Sequence, residues 1–331
     1  MKVLVPGGAG FIGSHFVRLL LGRGHGVRVL DKLTYAGNVV NLADCARETS
    51  RYEFQRGDIA DPSAVARAME GVDCVVNFAA ETHVDRSIHE PGAFVRTDVL
   101  GVHVLLEAVR SAPRKIRFVQ VSTDEVYGSA DRAMKETDIL NPSSPYSASK
   151  AGGDLLALGY HKTFGVDLCV TRASNNYGPY QFPEKLIPLM IMNAMDDKPL
   201  PVYGDGSNVR DWLYVEEHAE AILLVLEKGA AGEIYNIGGD CERPNLAIVE
   251  RILSLLSLGK DRIRFVRDRP AHDLRYSLDS SKIRALGWSA RTKIEDGLAR
   301  TVDWYRSNEA WWRPVRGEAF RAYYEKQYGA S

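Results

Sequence analysis

Two pairs of reactive side chains stand close together in the middle of the chain. Tyr146 and Lys150 are four residues apart, so in a helix they share one face, where the ammonium favours a phenolate that can act as a base towards an alcohol. Asp124 and Glu125 supply two carboxyl groups, which suit acid–base chemistry such as the removal of water from a carbon skeleton. Together the pairs predict a site that combines redox chemistry with an elimination.

Each pair also has an ordinary structural interpretation. Of the 15 tyrosines, only Tyr146 has a lysine at the fourth following position, and one such match in a long chain can be an incidental helix pair. Adjacent acidic residues after a strand are also typical of a solvated turn. The surrounding sequence has to decide between these interpretations.

The N-terminal residues have the pattern of a dinucleotide-binding unit. Residues 2–5 predict a strand, and a glycine turn and an apolar helix follow it. Gly7 and Gly10 permit a tight turn and a close approach of the backbone to a pyrophosphate, while Gly13 allows the helix to pack on the strand. Pro6 removes an amide donor, which we interpret as a harmless substitution at a strand end.

A second predicted strand, residues 26–30, ends at Asp31. A carboxylate in this position accepts hydrogen bonds from ribose hydroxyls and repels a 2′-phosphate, so the pattern favours NAD over NADP. Lys32 is the opposing observation, since a neighbouring cation can tolerate that phosphate.

Length and composition indicate a globular α/β enzyme. With 331 residues, 45% of them hydrophobic, the chain can form a dinucleotide-binding domain and a smaller companion. The 42 basic and 43 acidic residues leave no basic field for nucleic acid or an anionic membrane. No apolar run approaches a bilayer span, and no signal segment precedes the glycine turn. The widely spaced Cys45, Cys74, Cys169 and Cys241 indicate neither a metal site nor a disulfide framework. We therefore expect a cytoplasmic protein without a metal.

The first half of the chain alternates between strands and helices. Further strands are predicted at residues 52–55, 73–78, 117–122 and 166–171, and helices at 62–70, 92–109 and 145–164. This order predicts a Rossmann-type, doubly wound parallel sheet. Ser144 is the expected N-cap of the last helix, with Pro145 in its first position. The strand ending at Ser122 delivers Thr123 and the acidic pair to the carboxyl edge of the sheet, where such folds bind ligands.

The second half predicts a smaller, discontinuous substrate domain. Residues 175–183 are too rich in turn formers for a regular element, so we expect a substrate loop there. A strand and helix over 210–226, a strand at 233–237 and a helix at 245–256 follow. We expect residues 1–174, with about 207–240 returning, to bind NAD, and residues 175–206 and 241–331 to bind substrate. Trp311 and Trp312 are predicted to be packing anchors.

Several segments resemble the nucleotide-sugar branch of the extended short-chain dehydrogenases. The matching segments are residues 7–13, 31–38, 78–87, 122–128 and 146–150. Residues 174–185, 201–206 and 272–276 narrow the resemblance to the dTDP-glucose 4,6-dehydratases, over nearly the whole chain. Sugar 4-epimerases share the fold, the glycine turn and the Tyr–Lys pair but typically lack the Asp–Glu pair. The Asp124–Glu125 pair therefore favours a dehydratase. A catalytically silent dinucleotide-binding protein is a further alternative, against which the intact set of reactive residues argues.

The resemblance implies a role for each reactive residue. Tyr146, kept reactive by Lys150, removes the proton of the sugar C4 hydroxyl while hydride passes to NAD, and Thr123 orients that hydroxyl. Glu125 then abstracts the C5 proton as Asp124 protonates the departing C6 hydroxyl, and the hydride returns to C6. The implied reaction converts dTDP-glucose into dTDP-4-keto-6-deoxy-glucose with NAD regenerated in place.

The resemblance also implies binding residues. Asp58 and Ile59 are expected beside the adenine and His83 beside the sugar, although His83 can equally be a structural histidine. Arg210 and Arg275 suit diphosphate contacts, the alternative being surface arginines in salt bridges. The implied cofactor-binding residues are Gly7, Gly10, Phe11, Ile12, Gly13, Asp31, Lys32, Leu33, Thr34, Asp58, Ile59, Ala79, Ala80, Glu81, Thr97, Tyr146, Lys150 and Asn176. The implied substrate-binding residues are His83, Thr123, Asn175, Asn176, Lys185, Leu186, Pro201, Tyr203, Arg210, Asn245, His272, Arg275 and Tyr276.

Two positions depart from the family pattern, which usually has Thr in place of Pro6 and Asn in place of Asp98. These departures bear on the cofactor loop and on packing near the nicotinamide. As in relatives, the helices at 92–109 and 145–164 are expected to pair in a homodimer. The sequence leaves open which nucleotide base is preferred and which pathway the product serves.

Overall fold

The computed structural model describes residues 1–270 and 272–328. Positions 271 and 329–331, which belong to the predicted substrate domain, lie outside the described residues. The strands are β1 (Lys2–Pro6), β2 (Gly26–Asp31), β3 (Tyr52–Arg56), β4 (Cys74–Asn77), β5 (Arg117–Thr123), β6 (Leu168–Ala173), β7 (Asn175–Tyr177), β8 (Leu200–Tyr203), β9 (Val209–Tyr214), β10 (Ile234–Ile237), β11 (Glu242–Pro244) and β12 (Ile263–Val266).

Helices cover both faces of the main sheet and build most of the C-terminal part. They are α1 (Phe11–Gly22), α2 (Pro62–Met69), α3 (Val84–His89), α4 (Pro91–Val95), α5 (Val102–Arg110), α6 (Pro145–Phe164), α7 (Leu186–Met195), α8 (Val215–Lys228), α9 (Asn245–Leu255), α10 (Ser281–Ala285), α11 (Ile294–Ser307), α12 (Glu309–Val315) and α13 (Glu318–Tyr328). A π-helical segment, Arg96–Gly101, joins α4 directly to α5.

Within the described residues, seven parallel strands form the central sheet in the order β10-β6-β5-β4-β1-β2-β3. The order reverses beside β1, as in doubly wound folds, which confirms the predicted fold class. Two small sheets, β11-β9-β7 and β12-β8, lie in the second half. Because the seven strands are parallel, the residues that follow β1, β2, β4 and β5 meet at one edge.

The core lies on both faces of the central sheet, as the alternation within β1 shows. Val3 and Val5 pack in one cluster with Phe16 of α1 and Ile222 of α8, whereas Leu4 belongs to the cluster beneath α2, α5 and α6. A third cluster joins α7, α9 and α11 in the second half, and Trp312, 1% exposed, lies within it. Trp312 is therefore a packing anchor, as predicted.

Two local predictions need correction. Residues 175–183 were expected to be irregular, but Asn175–Tyr177 form β7, whose backbone pairs in parallel with Trp212–Tyr214 of β9. Pairing with a strand that is distant in sequence outweighs the turn preferences of the asparagines. The helix expected at 92–109 is continuous but contains the π-helical segment Arg96–Gly101. The helices α3, α7, α10, α11, α12 and α13 were not predicted.

Pro6 is accommodated without loss of strand pairing. It is the last residue of β1, and the next amide, that of Gly7, donates to the Leu30 carbonyl at 2.9 Å. The Pro6 carbonyl accepts from the Phe78 amide at 2.9 Å. The substitution is therefore harmless to the sheet. None of the helices in the described part of the chain combines the length and apolar character that a membrane span requires.

Candidate active site

The glycine turn packs tightly between β1 and the residues after β4. Gly7 has φ +75°, and a Cβ there would lie 2.5 Å from the Ala79 nitrogen. A Cβ on Gly13 would lie 2.4 Å from the Gly7 carbonyl oxygen. Any side chain at these two positions would force the turn apart, so glycine is required by sterics.

The turn leads into α1, whose first amides border a deep cleft. Gly10 is the N-cap and offers no side chain to cap the helix, and the first turn contains no acidic residue. Gly10, Phe11 and Ile12 line the cleft. A helix start with free amides binds anions such as a pyrophosphate, so this part of the cleft fits a dinucleotide.

Asp31 lies at the end of β2 with both carboxylate oxygens held by backbone amides. Oδ2 accepts from Ala9 at 3.0 Å and Oδ1 from Leu33 at 2.8 Å. Burial raises the pKa of this carboxyl, and the two amides oppose the rise. The carboxylate also lines the cleft, and each oxygen retains a lone pair with which it can accept a hydroxyl hydrogen.

Lys32 is held by side chains on its own side of the cleft. Its Nζ lies 2.9 Å from Glu81 Oε1, 4.0 Å from Asp58 Oδ2 and 3.0 Å from Thr97 Oγ1. Two carboxylates therefore oppose one ammonium. These carboxylates neutralise the charge of Lys32, which was the argument for tolerance of a 2′-phosphate. The preference for NAD over NADP that Asp31 predicts is therefore strengthened.

The Tyr–Lys pair lies in the first turns of α6. Ser144 and Ser147 form a capping box around this helix start, and Pro145 occupies its first position, as predicted. Tyr146 and Lys150 line the same cleft as the glycine turn. Lys150 Nζ donates to the Val121 carbonyl at 2.8 Å. The capping box thus determines where the helix begins and which way its first turn presents the pair.

Tyr146 is protonated in the free protein. Burial, followed by the negative charges of Glu125 and Asp98, raises its pKa well above the ordinary value, and a hydrogen bond with Thr123 opposes the rise. Deprotonation thus needs additional positive charge. The cationic ring of an oxidised nicotinamide, when bound, would add it to the charge of the Lys150 ammonium that is already present.

The acidic pair follows β5 in a short 3-10 turn. Thr123 caps this turn by accepting from the Glu125 amide at 3.3 Å and donates its hydroxyl to Asp124 Oδ1 at 3.2 Å. Asp124 Oδ2 is buried and has no hydrogen-bond partner among the residues that the structure describes. An unpaired buried carboxyl oxygen beside a cleft is suited to exchange a proton with a ligand.

The environments of the two carboxyls push them towards different protonation states. Burial raises the pKa of Asp124 well above its usual value, and the negative charges of Glu125 and Asp211 raise it further. Burial also raises the pKa of Glu125, but Arg269, Lys185 and Arg210 oppose that rise. Asp124 is thereby kept as an acid and Glu125 is the better base, a division of roles typical of paired catalytic carboxyls.

A second cavity adjoins the cleft, with Glu125 in its wall. Lys185 lines both spaces, so the cleft and the cavity meet there. Ten of the predicted substrate-binding residues line this cavity, namely His83, Asn175, Lys185, Leu186, Pro201, Tyr203, Arg210, Asn245, His272 and Tyr276. The structure thus brings together most of the substrate set predicted from sequence.

Sequence reasoning missed several residues of this cavity, above all Arg269. Its side chain is 15% exposed, lies 3.7 Å from Asp85 and joins Lys185 and Arg210 in the cavity wall. A signal was present, because Arg269 lies only three residues before His272, where a segment already singled out begins. Asp85 lies within residues 78–87, another segment already singled out, whereas Tyr328 was missed without such a signal, since the end of α13 reaches the cavity only in the folded chain.

Six predicted site residues line neither space, namely Thr123, Asp124, Glu81, Arg275, Asn176 and Leu33. Arg275 is outside both spaces and forms a two-point salt bridge with Glu242 at 2.7 and 3.0 Å, which agrees with the surface alternative. The Asn176 amide donates to the Ser174 carbonyl at 2.9 Å, and its oxygen is paired with His218 at 2.9 Å. Leu33 holds Asp31 through its backbone amide rather than lining the cleft.

Most of the other predicted cofactor-binding residues line the cleft, and one of them instead contacts a residue of the cleft wall. Thr34, Asp58, Ile59, Ala79, Ala80 and Thr97 line the cleft. Glu81 is not in the wall but pairs with Lys32 at 2.9 Å. His83 lines the second cavity, and burial and nearby cations lower its pKa well below the usual value, so it is neutral there.

The chain is similar to proteins of known name over nearly its full length. The family model described as GDP-mannose 4,6 dehydratase matches residues 4–301. A dTDP-glucose 4,6-dehydratase of Streptomyces niveus is 55% identical, with 96% of each chain covered. The dTDP-glucose 4,6-dehydratase 1 of Escherichia coli is 46% identical, with 99% of each chain covered.

Solved structures agree with these relatives. A dTDP-glucose 4,6-dehydratase from Streptomyces venezuelae with NAD bound has a TM-score of 0.92 at 52% identity, covering 95% of this chain and 100% of that one. A UDP-glucose 4-epimerase from Thermus thermophilus in complex with NAD has a TM-score of 0.86 at 31% identity, covering 93% and 100%. The epimerase shows that the fold is shared across activities. From the match of sequence, fold and site together, the chain belongs to the family of the dTDP-glucose 4,6-dehydratases.

Proposed function

We propose that this protein converts dTDP-glucose into dTDP-4-keto-6-deoxy-glucose with NAD as a resident cofactor. The observation that carries the proposal is the pair formed by Asp124 and Glu125, whose environments favour an acid and a base respectively. This pair adjoins the Tyr146–Lys150 cleft. An epimerase needs the Tyr–Lys pair alone, whereas the loss of water also needs a proton donor and a proton acceptor.

The nucleotide sugar spans the second cavity in this proposal. Lys185, Arg210 and Arg269 line it and supply positive charge for a diphosphate. Glu125, in the same wall, lies where the sugar meets the cleft. The cationic groups therefore bind the substrate and also favour the ionised form of Glu125.

The side chains act in sequence on the bound sugar. NAD, when bound, supplies the acceptor for C4 oxidation and returns the same hydrogen at the end. Tyr146 takes the proton of the C4 hydroxyl, which Thr123 orients. The ketone at C4 acidifies the C5 hydrogen, so Glu125 removes that proton while Asp124 gives its own to the C6 oxygen, and water leaves.

Isotopic labelling tests the proposed reaction. Substrate with deuterium at C4 should give product with deuterium in the C6 methyl, and a reaction in heavy water should place solvent deuterium at C5. An epimerase would return the label to C4 and give the C4 epimer. Retention of the label at C4, or no reaction with dTDP-glucose, would contradict the proposal.

Cofactor selection follows from Asp31 and from the compensated charge of Lys32. We expect apo-protein to bind NAD at least roughly a hundredfold more tightly than NADP, because the 2′-phosphate would lie against a carboxylate. Fluorescence titration with both cofactors measures the ratio. Asp31→Asn, which keeps the shape of the side chain and removes its charge, should reduce the ratio of NAD affinity to NADP affinity. Equal affinities for the two cofactors in the unaltered protein would contradict the assignment.

We also propose that the two ligands divide the chain in the manner expected from the sequence. We assign the cofactor to residues 1–174 with 207–240, and the nucleotide sugar to 175–206 with 241–331. In support, β10 joins the central sheet and α8 packs on α1, although β9 pairs with β7 and β11. Hydrogen exchange should show protection of the first set with NAD alone and of most of the second only when dTDP is added, with residues 181–185, which reach the cleft, as the exception.

A homodimer is also part of the proposal. The large apolar side chains of Val95, Leu100 and Leu155 are 56%, 43% and 60% exposed. They belong to the segment from α4 to α5 and to α6, which pack on each other. A second copy covering this face would bury them.

Light scattering should give about twice the 36.7 kDa of one chain. Leu155→Glu should reduce that mass to the monomer value, because a buried unpaired carboxylate costs several kcal/mol. Lys228→Glu, at the exposed end of α8 on the opposite face of the central sheet, serves as a charge-altered comparison. A monomeric unaltered protein would contradict this part of the proposal.

A reducing, cytoplasmic location fits the cysteines. Cys45, Cys74, Cys169 and Cys241 are free thiols, and burial raises the pKa of each. Thiol titration of protein denatured directly from cells should find all four reduced. A disulfide in that material would argue against the location.

A further inference from the structure

Asp98 is a buried carboxyl beside the reactive pair that the proposed reaction does not use. It lies in the π-helical segment between α4 and α5 and is 1% exposed. Its Oδ1 accepts from the Glu81 amide at 3.1 Å, and its Oδ2 accepts from the Ser149 hydroxyl at 2.7 Å. Asp98 therefore ties the chain that follows β4 to the helix that carries Tyr146 and Lys150.

The hydrogen bonds around Ser149 can accommodate either protonation state of this carboxyl. The Ser149 hydroxyl has one hydrogen but two acceptors within reach, Asp98 Oδ2 at 2.7 Å and the Tyr146 carbonyl at 2.8 Å. A protonated Asp98 would donate a hydrogen bond to the Ser149 oxygen, and the Ser149 hydroxyl would then donate to the backbone carbonyl of Tyr146. Burial, opposed chiefly by Lys150, raises the pKa of Asp98 to about 6.

The charged groups facing Asp98 come from two neighbouring elements. Lys150 on α6 favours its ionised form, whereas Glu81, after β4, disfavours it. The charge of Asp98 acts in turn on Tyr146, where it adds to those of Glu125 and Asp124 in disfavouring the phenolate. An ionised Asp98 thus makes the base harder to form.

From this geometry we propose that Asp98 is a positioning residue for Tyr146 and Lys150, and that its negative charge moves the working pH range of the pair upwards. The inference rests on the proposed function, since it concerns the base of the C4 oxidation. An asparagine here would keep the acceptor for the Glu81 amide and would donate to Ser149, so it would retain the connection without the charge.

The test compares unaltered protein, Asp98→Asn and Ser149→Ala as holoenzymes. The rate of nicotinamide reduction on mixing with dTDP-glucose is followed against pH. In Asp98→Asn, the acid limb of the profile should move down by roughly one pH unit, because one nearby negative charge is lost. Ser149→Ala keeps the charge of Asp98 but loses its hydrogen bond to α6. Its rate of nicotinamide reduction should therefore fall, while the acid limb of the pH profile stays where it is.

Thermal unfolding gives a second readout that does not depend on turnover. A carboxyl whose pKa is raised in the folded state stabilises the fold below its unfolded pKa and loses that contribution as pH rises through about 6. The melting temperature of Asp98→Asn relative to unaltered protein should therefore increase between about pH 4 and 7.

The outcomes separate the inference from the proposed function. An acid limb at the same pH in unaltered protein and Asp98→Asn would overturn the inference. Lack of activity in the unaltered protein would instead defeat the proposed function and leave the melting comparison intact. If Asp98→Asn does not fold, Asp98→Ser, which is also uncharged, should show the same displacement, and its absence would overturn the inference.

Discussion

Tyr146→Phe should lower turnover of dTDP-glucose by roughly a thousandfold, because the variant lacks the group that takes the C4 hydroxyl proton. The ring still packs at 6.1 Å against Phe94, so the helix start is unchanged. NAD affinity should stay within a few fold, because the pyrophosphate is bound by the β1–α1 turn. Stopped-flow absorbance measures nicotinamide reduction, and fluorescence titration measures cofactor binding.

A matched control lies on the same helix. Tyr160 is also largely buried in α6, but its hydroxyl bonds to His103 and Glu107 at 2.9 and 2.6 Å, away from the cleft. Tyr160→Phe should turn over at close to the unaltered rate. Near-normal reduction in Tyr146→Phe would show that the base lies elsewhere.

Asp124→Asn with Glu125→Gln should stop the reaction after its first half. Both carboxyls act only once a ketone exists at C4, so the double variant should still reduce its bound NAD when substrate is added. Release of the 6-deoxy product should fall by roughly a thousandfold or more, since both proton transfers of the elimination are lost. A lasting nicotinamide absorbance, with little product by mass spectrometry, is the expected result.

The single variants separate the acid from the base. With Glu125→Gln, heavy water should no longer label C5, because the group that removes the proton is gone. With Asp124→Asn, C5 exchange should continue while water loss stops, because the base remains and only the proton donor is missing. Equal C5 exchange in both single variants would contradict the assignment of roles, and rapid full turnover of the double variant would exclude both residues.

Features encoded by neighbouring residues were predictable from the sequence. The start of α6 follows from Ser144 and Pro145, and the shared face of Tyr146 and Lys150 follows from helix geometry alone. The glycine turn and Asp31 follow from strand, turn and helix signals within the first 31 residues. Each depends on contacts between residues that are close along the chain or on backbone conformations that one residue type allows.

Pairings between distant segments could not be read in this way. Asn175–Tyr177 have turn preferences, yet they form β7 because β9 offers a backbone ladder. Arg275 resembled a diphosphate ligand and Arg269 was overlooked. In the structure, Glu242 of β11 holds Arg275, while Arg269 lies in the wall of the second cavity. Two arginines six positions apart in a loop differ in role only through the path of that loop.

The sequence by itself determined which reactive groups the protein carries and that a dinucleotide fold presents them at one sheet edge. Only the tertiary structure gives a physical reason for the roles that the resemblance implied, with Asp124 as the acid and Glu125 as the base. Asp124 is buried beside Asp211, whereas Glu125 is opposed by the positive charges of Lys185, Arg210 and Arg269. Protonation depends on burial and on charges close in space, and those charges come from segments far apart along the chain.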